Sequence, residues 1–319
     1  MNELDKRLDR IEQELSVITS LQSQVFGNPI SSRSDEIDLR ELFTVLWQGK
    51  WWILGITFLF AVAGVFYALS LPNMYKSEGV YAPAQKDNGA GGMAGQLGGL
   101  ASLAGVSLGG GESNDIDQAM VLITSWPFLE GVINKHDLKP LIMGVKGWNR
   151  ESGELIWDEE VYDPEAKKWL REPPKGMKAE PSSYETYDRF NQMIKVSMDT
   201  KTSLLKITVE YYSPDKAREW VNIISAEINE KFRIRDMEEA KKNIGYLSEK
   251  ISETSIAEMQ TVFYGMIEAQ MKTLMLAEVD KEYLVRNVIS PKSPELKSGP
   301  KRTLILFVCI FLALSLIHI

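Results

Sequence analysis

Two long apolar stretches interrupt the alternation of hydrophobic and polar residues along the chain. The first, residues 51–71 (WWILGITFLFAVAGVFYALSL), has 21 residues without a charge. As a helix it would be about 32 Å long, against a hydrocarbon core of about 30 Å. The second, residues 303–319 (TLILFVCIFLALSLIHI), has 17 residues and follows Lys301 and Arg302, whose side chains can extend to a membrane interface. The pattern therefore predicts two transmembrane helices, 51–71 and 303–319.

Other interpretations of these stretches are weaker. A buried core helix is the alternative for the first, and a signal peptide is disfavoured because about 50 mostly polar residues precede it. The second stretch stops without a cationic tail, so we expect it to be truncated at Ile319. With two spans, residues 72–302 lie on one side of the membrane. We expect that side to be outside the cytoplasm, because a segment without cysteine is compatible with an oxidising compartment.

The N-terminal arm has a seven-residue hydrophobic repeat. The spacing predicts a heptad helix over residues 1–26, which would help tethered chains to associate. The repeat positions are Leu4, Leu8, Ile11, Leu15, Ile18, Gln22 and Val25. A single amphipathic helix lying on the membrane is the alternative. Residues 27–50, which begin with GNPISSRS, are predicted to be a linker and a juxtamembrane amphipathic segment, since Gly and Pro end the helix.

The segment 72–302 combines strand and helix patterns. Residues 74–84 are predicted to form a strand. Residues 194–198 (IKVSM) and 204–211 (LLKITVEY) alternate with β-branched residues and predict an antiparallel hairpin. Residues 283–289 predict a further strand. Together with the helices described next, these strands indicate an α+β fold.

A long helical segment follows the hairpin. Ser213 and Pro214 provide a helix cap and a first-turn proline, and the pattern predicts helix over about 214–278, some 96 Å if straight. One apolar stripe contains Met237, Ala240, Ile244, Leu247 and Ile251, and a second contains Ile256, Met259, Phe263 and Met266. Because the second stripe is offset by two positions, we expect a kink, loop or register change at 252–255 (SETS).

Two further segments invite a ligand-binding interpretation. Residues 89–111 are rich in glycine, but Glu112 follows the last glycine where a phosphate-binding loop requires lysine, so we expect a loop of small residues. Six aromatic residues lie among prolines in 148–187 and could stack on sugar rings, although core or interface positions are the more common role. They are Trp148, Trp157, Tyr162, Trp169, Tyr184 and Tyr187.

Composition excludes several functions. The formal net charge is −8, which disfavours a nucleic-acid partner. One cysteine and two histidines leave no basis for a disulfide framework or a cysteine or histidine metal cluster. The sequence shows no paired catalytic acids and no nucleotide-binding motif. We therefore expect a protein that is not an enzyme and that needs no cofactor or metal.

Three motifs resemble one family. They are 37–50 (IDLRELFTVLWQGK) before the first apolar stretch, 213–229 (SPDKAREWVNIISAEIN) at the start of the long helix, and 290–302 (SPKSPELKSGPKR) before the second apolar stretch. Residues 100–111 (LASLAGVSLGGG) also look like a loop of that family. In this order they resemble the Wzz family of bacterial polysaccharide co-polymerases, the O-antigen chain-length determinants, over about residues 35–316.

The resemblance implies a periplasmic α/β base domain with a long helical protrusion, two flanking transmembrane helices and a homo-oligomeric ring in the bacterial inner membrane. It implies regulation of the modal length of O-antigen or a related surface polysaccharide, made by a Wzy-type polymerase from lipid-linked precursors. The chain would act as a non-catalytic scaffold.

Five residues are candidates for positioning or packing. Pro291, Pro294 and Pro300 would set the angle at which the chain enters its last helix, because proline fixes φ and cannot continue a helix. Gly64 and Ala68 have the small-xxx-small spacing of a close helix contact, with a plain lipid-facing helix as the alternative.

Two other functions compete with the scaffold. A periplasmic sensor or polysaccharide-export adaptor is the first, but a sensor needs a cytoplasmic output domain and residues 1–50 offer only a helix. A glycosyl-transferring enzyme is the second, and it would need an acid pair or a metal site.

Overall fold

The computed structural model describes residues 13–18, 50–84, 111–173 and 175–318. The chain forms two compact units, one of residues 1–63 and 308–319 and one of residues 64–307. In the first unit, residues 13–18 are helical, and Leu15 and Ile18 of the predicted heptad are exposed. The other heptad positions and the glycine-rich loop lie outside the described residues.

Helix α1 covers Lys50–Ser70, and the last helix, α8, covers Arg302–His318. In the described part of the chain, no helix combines the length and the apolar character needed to cross a bilayer. The prediction of two transmembrane helices is therefore wrong. The 17 residues of α8 rise about 26 Å, less than the roughly 30 Å of a hydrocarbon core. Helix α1 ends at Ser70, one residue before the end of the predicted segment 51–71.

The second unit is built on a four-stranded antiparallel sheet in the order β6-β7-β1-β8. Its strands are β1 (Tyr75–Pro83), β6 (Ile194–Asp199), β7 (Leu204–Tyr211) and β8 (Val285–Ile289). The predicted hairpin is confirmed, with Ile194 opposite Val209 and Asp199 opposite Leu204. The predicted strands at 74–84 and 283–289 are confirmed as β1 and β8. The second unit is thus α+β, as expected.

Four short helices and two small hairpins surround the sheet. The helices are α2 (Gly111–Ile123), α3 (Trp126–Lys135), α4 (Lys139–Met143) and α5 (Ser183–Met193). The hairpins are β2 (Val145–Trp148) with β3 (Leu155–Trp157), and β4 (Tyr162–Asp163) with β5 (Lys168–Trp169). The core is centred on Trp220, which is fully buried and lies 4.3 Å from Tyr211 and 5.2 Å from Phe190, measured between ring centroids.

The long helical segment forms a hairpin of two helices. Helix α6 covers Pro214–Glu253, with Ser213 as its N-cap, and α7 covers Ala257–Val279. The break predicted at 252–255 is confirmed, and the chain reverses there, so the helical segment predicted over about 214–278 consists of two helices. Hydrogen bonds join α6 and α7 in antiparallel order. Arg233 donates to the Ala277 carbonyl, Asn243 donates to Gln270, and Gln260 donates to the Ile251 carbonyl.

The stripes along this hairpin differ in their burial. The α6 stripe is buried or half-buried at all five predicted positions. In the second stripe Phe263 is half-buried, whereas Ile256, Met259 and Met266 are exposed. Much of the apolar surface of α7 is therefore left uncovered by its own chain.

Candidate functional site

The segment after β8 turns back along the first strand. We call residues 290–302 the proline strap. The buried hydroxyl of Ser77 in β1 donates to the Lys292 carbonyl (2.9 Å). Further along, the Met74 amide donates to the Gly299 carbonyl (3.0 Å) and the Ser298 amide donates to the Met74 carbonyl (2.8 Å). The strap is therefore held against β1 at both of its ends.

Side chains tie the strap to two more elements. The Ser293 hydroxyl donates to Asp215 Oδ1 (2.6 Å) in the first turn of α6, and the Ser298 hydroxyl donates to Glu210 Oε1 (2.5 Å) in β7. Hydrogen bonds to a charged acceptor are stronger than neutral ones. The strap is thus connected to the sheet and to the start of the helical hairpin.

The three candidate prolines lie along this strap. Pro291 is buried, while Pro294 and Pro300 are half-buried. Strand β8 ends at Ile289, two residues before Pro291. Proline lacks the amide that a sheet ladder requires, so the chain leaves the sheet at this point. The role of these prolines in positioning α8 stays a prediction.

Arg302, the first residue of α8, binds the C-terminal end of α1. Its Nε donates to the Ala68 carbonyl (3.0 Å), and its Nη2 donates to the Leu71 carbonyl (3.3 Å) and to Asn73 Oδ1 (3.2 Å). A cation at a helix C-terminus is favourable because the last carbonyls lack partners there. Sequence reasoning assigned Arg302 to an interface and missed this role, since the contacts join residues more than 220 positions apart.

Gly64 and Ala68 share one strip of α1. Both are buried, and the other side chains described between residues 54 and 70 are exposed or half-buried. The two residues lie one helical turn apart and form a single strip. Because both are buried, this strip is covered by protein rather than exposed to solvent. Its pairing with a second helix stays a prediction.

A pocket of about 520 Å³ opens beside the strap, a volume typical of small-molecule sites. It lies between the start of β1, the β2–β3 hairpin and the middle of the strap. Its lining residues are Asn73, Tyr75, Trp148, Asn149, Arg150, Ile156, Glu295, Leu296 and Lys297.

The polar groups of the pocket differ in their partners. The ammonium of Lys297 donates to Asn73 Oδ1 (3.3 Å), and the Asn149 side chain accepts from the Glu151 amide (2.9 Å). Within residues 13–18, 50–84, 111–173 and 175–318, neither the guanidinium of Arg150 nor the carboxylate of Glu295 forms a hydrogen bond or an ion pair. Both therefore remain available to a ligand.

Two aromatic residues, Tyr75 and Trp148, line the pocket. The rings of Tyr75 and Trp148 meet nearly at right angles, with centroids 5.3 Å apart, so this contact covers at most one face of the indole. The other five aromatic residues that the sequence singled out pack elsewhere, namely Trp157, Tyr162 and Trp169 on the hairpins and Tyr184 and Tyr187 on α5.

Several titratable side chains elsewhere in the second unit have structural partners. The Arg171 guanidinium and the Ser182 amide bind Glu185 and lower the pKa of its carboxyl to about 2. Burial raises the pKa of Tyr211, whose hydroxyl donates to the Leu141 carbonyl (2.5 Å). Among the described residues, no group of three His, Cys, Asp or Glu side chains could hold a metal ion.

Comparisons with known proteins give a family for part of the chain. Residues 35–135 match the family model "Wzz: Chain length determinant protein". Among solved structures, a full-length bacterial polysaccharide co-polymerase aligns with 12% identity and a TM-score of 0.34, over 88% of this chain and 94% of that one. A WzzB fragment from Salmonella Typhimurium aligns with 12% identity and a TM-score of 0.28, over 71% of this chain and 100% of that one.

No curated protein sequence matches the chain significantly. The matched segment contains α1, β1, α2 and α3, so it includes the strand against which the strap lies. The resemblance to the chain length determinant family is thus confirmed by the match over residues 35–135.

Proposed function

We propose that this protein sets the modal length of O-antigen or a related surface polysaccharide made by a Wzy-type polymerase. It does so as a non-catalytic scaffold of identical subunits at the bacterial inner membrane, with its α+β unit in the periplasm. The observation that carries the proposal is the family match over residues 35–135. The geometry of α7 supports the oligomeric part.

Helix α7 has two exposed apolar flanks. Its half-buried and buried side chains face α6, and at 100° per residue each flank lies about 90° from that face, on opposite sides of the helix. One flank carries Met259, Val262, Met266 and Leu276, and the other carries Tyr264, Met271 and Met275. Each of these side chains is more than 40% exposed. Exposed apolar surface of this extent is typical of an interaction site.

The occupant that suits both flanks is a second copy of this chain. A contact between one flank of a subunit and the opposite flank of the next is heterologous, and such contacts close into a ring when the rotation permits. Methionine side chains adapt to the facing surface. A ring of hairpins gives a geometry that can limit how long a polymerase retains a growing glycan.

The strap and α1 have positioning roles in this proposal. The bonds of the strap to β1, β7 and α6 couple the sheet to the start of α8, so Pro291, Pro294 and Pro300 position the first turn of that helix. Gly64 and Ala68 provide a close contact for another helix.

The first experiment deletes the gene in its host and separates the surface polysaccharide on a gel. We expect polymer of random length in the deletion strain and a restored modal length on complementation. Loss of all polymer would instead favour a glycosyl-transferring enzyme. An unchanged ladder would overturn the proposal.

The second experiment tests assembly through α7. The double variant Val262→Glu with Met266→Glu places two charges on one flank, and desolvating a charge in an apolar contact is costly. We expect loss of crosslinked oligomers and loss of modal length. Thr261→Glu is the matched control, because Thr261 is exposed on α7 between the two flanks. Equal crosslinking of the double variant and the wild type would contradict assembly through α7.

A further inference from the structure

The pocket beside the strap has groups of opposite character within one small volume. Arg150 offers guanidinium donors, Glu295 offers carboxylate acceptors, and neither has a partner among the described residues. Trp148 adds an aromatic face. A ligand that uses the whole site must therefore accept hydrogen bonds, donate them, and present an apolar patch.

Three ligand classes use the site poorly. A phosphate or other anion would pair with Arg150 but would be repelled by Glu295. A cation would be repelled by Arg150 and Lys297. A purely apolar ligand would cover the charges of Arg150 and Glu295 without giving them partners, which is unfavourable. A sugar ring meets all three requirements. Its hydroxyls donate and accept, and its C–H groups pack on the electron-rich face of an aromatic ring.

We infer that this pocket is a carbohydrate subsite that binds one or two sugar units of the growing polysaccharide, with Trp148 as the stacking ring and Arg150 and Glu295 as the hydrogen-bonding pair. The inference rests on the proposed function for the source of the glycan. It adds a direct contact between the scaffold and its polymer. The strap forms one wall of the pocket, so glycan binding is coupled to the segment that leads into α8.

Binding is tested with the purified full-length chain and the surface polysaccharide of the host, released from its lipid by mild acid. Isothermal titration calorimetry measures the affinity, and inorganic pyrophosphate is titrated separately. We expect glycan binding, and at least about tenfold weaker binding for Arg150→Ala and for Glu295→Gln, since hydrogen bonds to charged groups are among the stronger ones. Arg150 and Glu295 are exposed, so these variants retain the fold.

Lys146→Ala is the matched control, because Lys146 is an exposed cation of β2 that does not line the pocket. It should bind the glycan as the wild type does. Trp148→Ala should weaken glycan binding, as Arg150→Ala and Glu295→Gln do, and circular dichroism checks that this variant folds. Wild-type protein that does not bind the glycan, or Arg150-dependent binding of pyrophosphate alone, would overturn the inference.

The gel assay separates this inference from the proposed function. If the gene restores the modal length but its product does not bind the glycan, the subsite is wrong and the scaffold stands. If the gene has no effect on length, the proposed function fails whatever the pocket binds. If Arg150→Ala weakens binding and shifts the modal length, both are supported.

Discussion

A single buried asparagine fixes the start of the edge strand that leads into the strap. Asn229 of α6 is 5% exposed. Its Oδ1 accepts from the amides of Leu284 (2.8 Å) and Val285 (2.9 Å), and its Nδ2 donates to the Val285 carbonyl (3.1 Å). Leu284 and Val285 are themselves buried, so no solvent replaces these bonds directly.

The variant Asn229→Ala removes three partners from buried backbone groups. Each unsatisfied group costs about 1–3 kcal/mol, so for three groups we expect a loss of about 3–9 kcal/mol in the free energy of unfolding. That is a large part of the roughly 5–15 kcal/mol available to a folded domain. Asn229→Leu should be no milder, because the backbone groups stay unpaired whatever the size of the side chain.

Urea denaturation measures the global loss, and hydrogen exchange at Leu284 and Val285 reports the local one. The control is Asn243→Ala on the same helix, since half-buried Asn243 makes one long bond to Gln270 (3.4 Å). We expect that control to lose less than about 1 kcal/mol. If Asn229→Ala unfolds within 1 kcal/mol of the wild type and both amides stay protected, the reasoning about buried backbone groups is refuted.

Three further predictions concern helix α5, the sheet and the strap. Hydrogen bonds from Arg171 lower the pKa of the Glu185 carboxyl to about 2, from an ordinary value of 4.5. The ionised Glu185 therefore stabilises the fold above about pH 4.5, and this stabilisation is lost as the pH falls towards 2. Glu185→Gln should therefore show a smaller loss of stability over that range in denaturation at several pH values; an identical loss contradicts this. Ser77→Ala should lower the free energy of unfolding by about 1–2 kcal/mol and increase proteolysis of the strap, since the Lys292 carbonyl loses the buried Ser77 hydroxyl as its donor. Proteolysis of the strap at the wild-type rate would argue against this. Replacing Pro291 and Pro300 with Ala should shift the modal polysaccharide length at unchanged expression, and an unaltered ladder would remove their positioning role.

Strands and helix starts were accessible to sequence reasoning because their signals are local. Alternating β-branched residues predicted β6 and β7, and Ser213 followed by Pro214 predicted the start of α6. The offset between two apolar stripes predicted the break before α7. Each of these signals depends on neighbouring residues only.

The site was only partly accessible. The prolines of the strap were recognised because proline restricts the chain wherever it occurs. Arg302, Asn73 and Glu295 were not, since each acts through residues that are distant in sequence, and nothing near them in the chain indicates the partner. The sequence offered no reason to prefer Trp148 among the six aromatic residues that could stack on sugar rings. Only the pocket in the folded structure separates it from the other five.

The sequence by itself determined the α+β character of the second unit, the place where the long helix ends, and the resemblance to the chain length determinants. It also predicted two membrane crossings, which the described helices do not provide. Only the tertiary structure decided that the chain reverses after Glu253, that α7 keeps two apolar flanks exposed, and that Arg150 and Glu295 share a pocket with Trp148. The physical reason is that hydrophobic periodicity reports which face of an element avoids water, whereas the partner of that face is chosen by the packing of segments far apart in the chain.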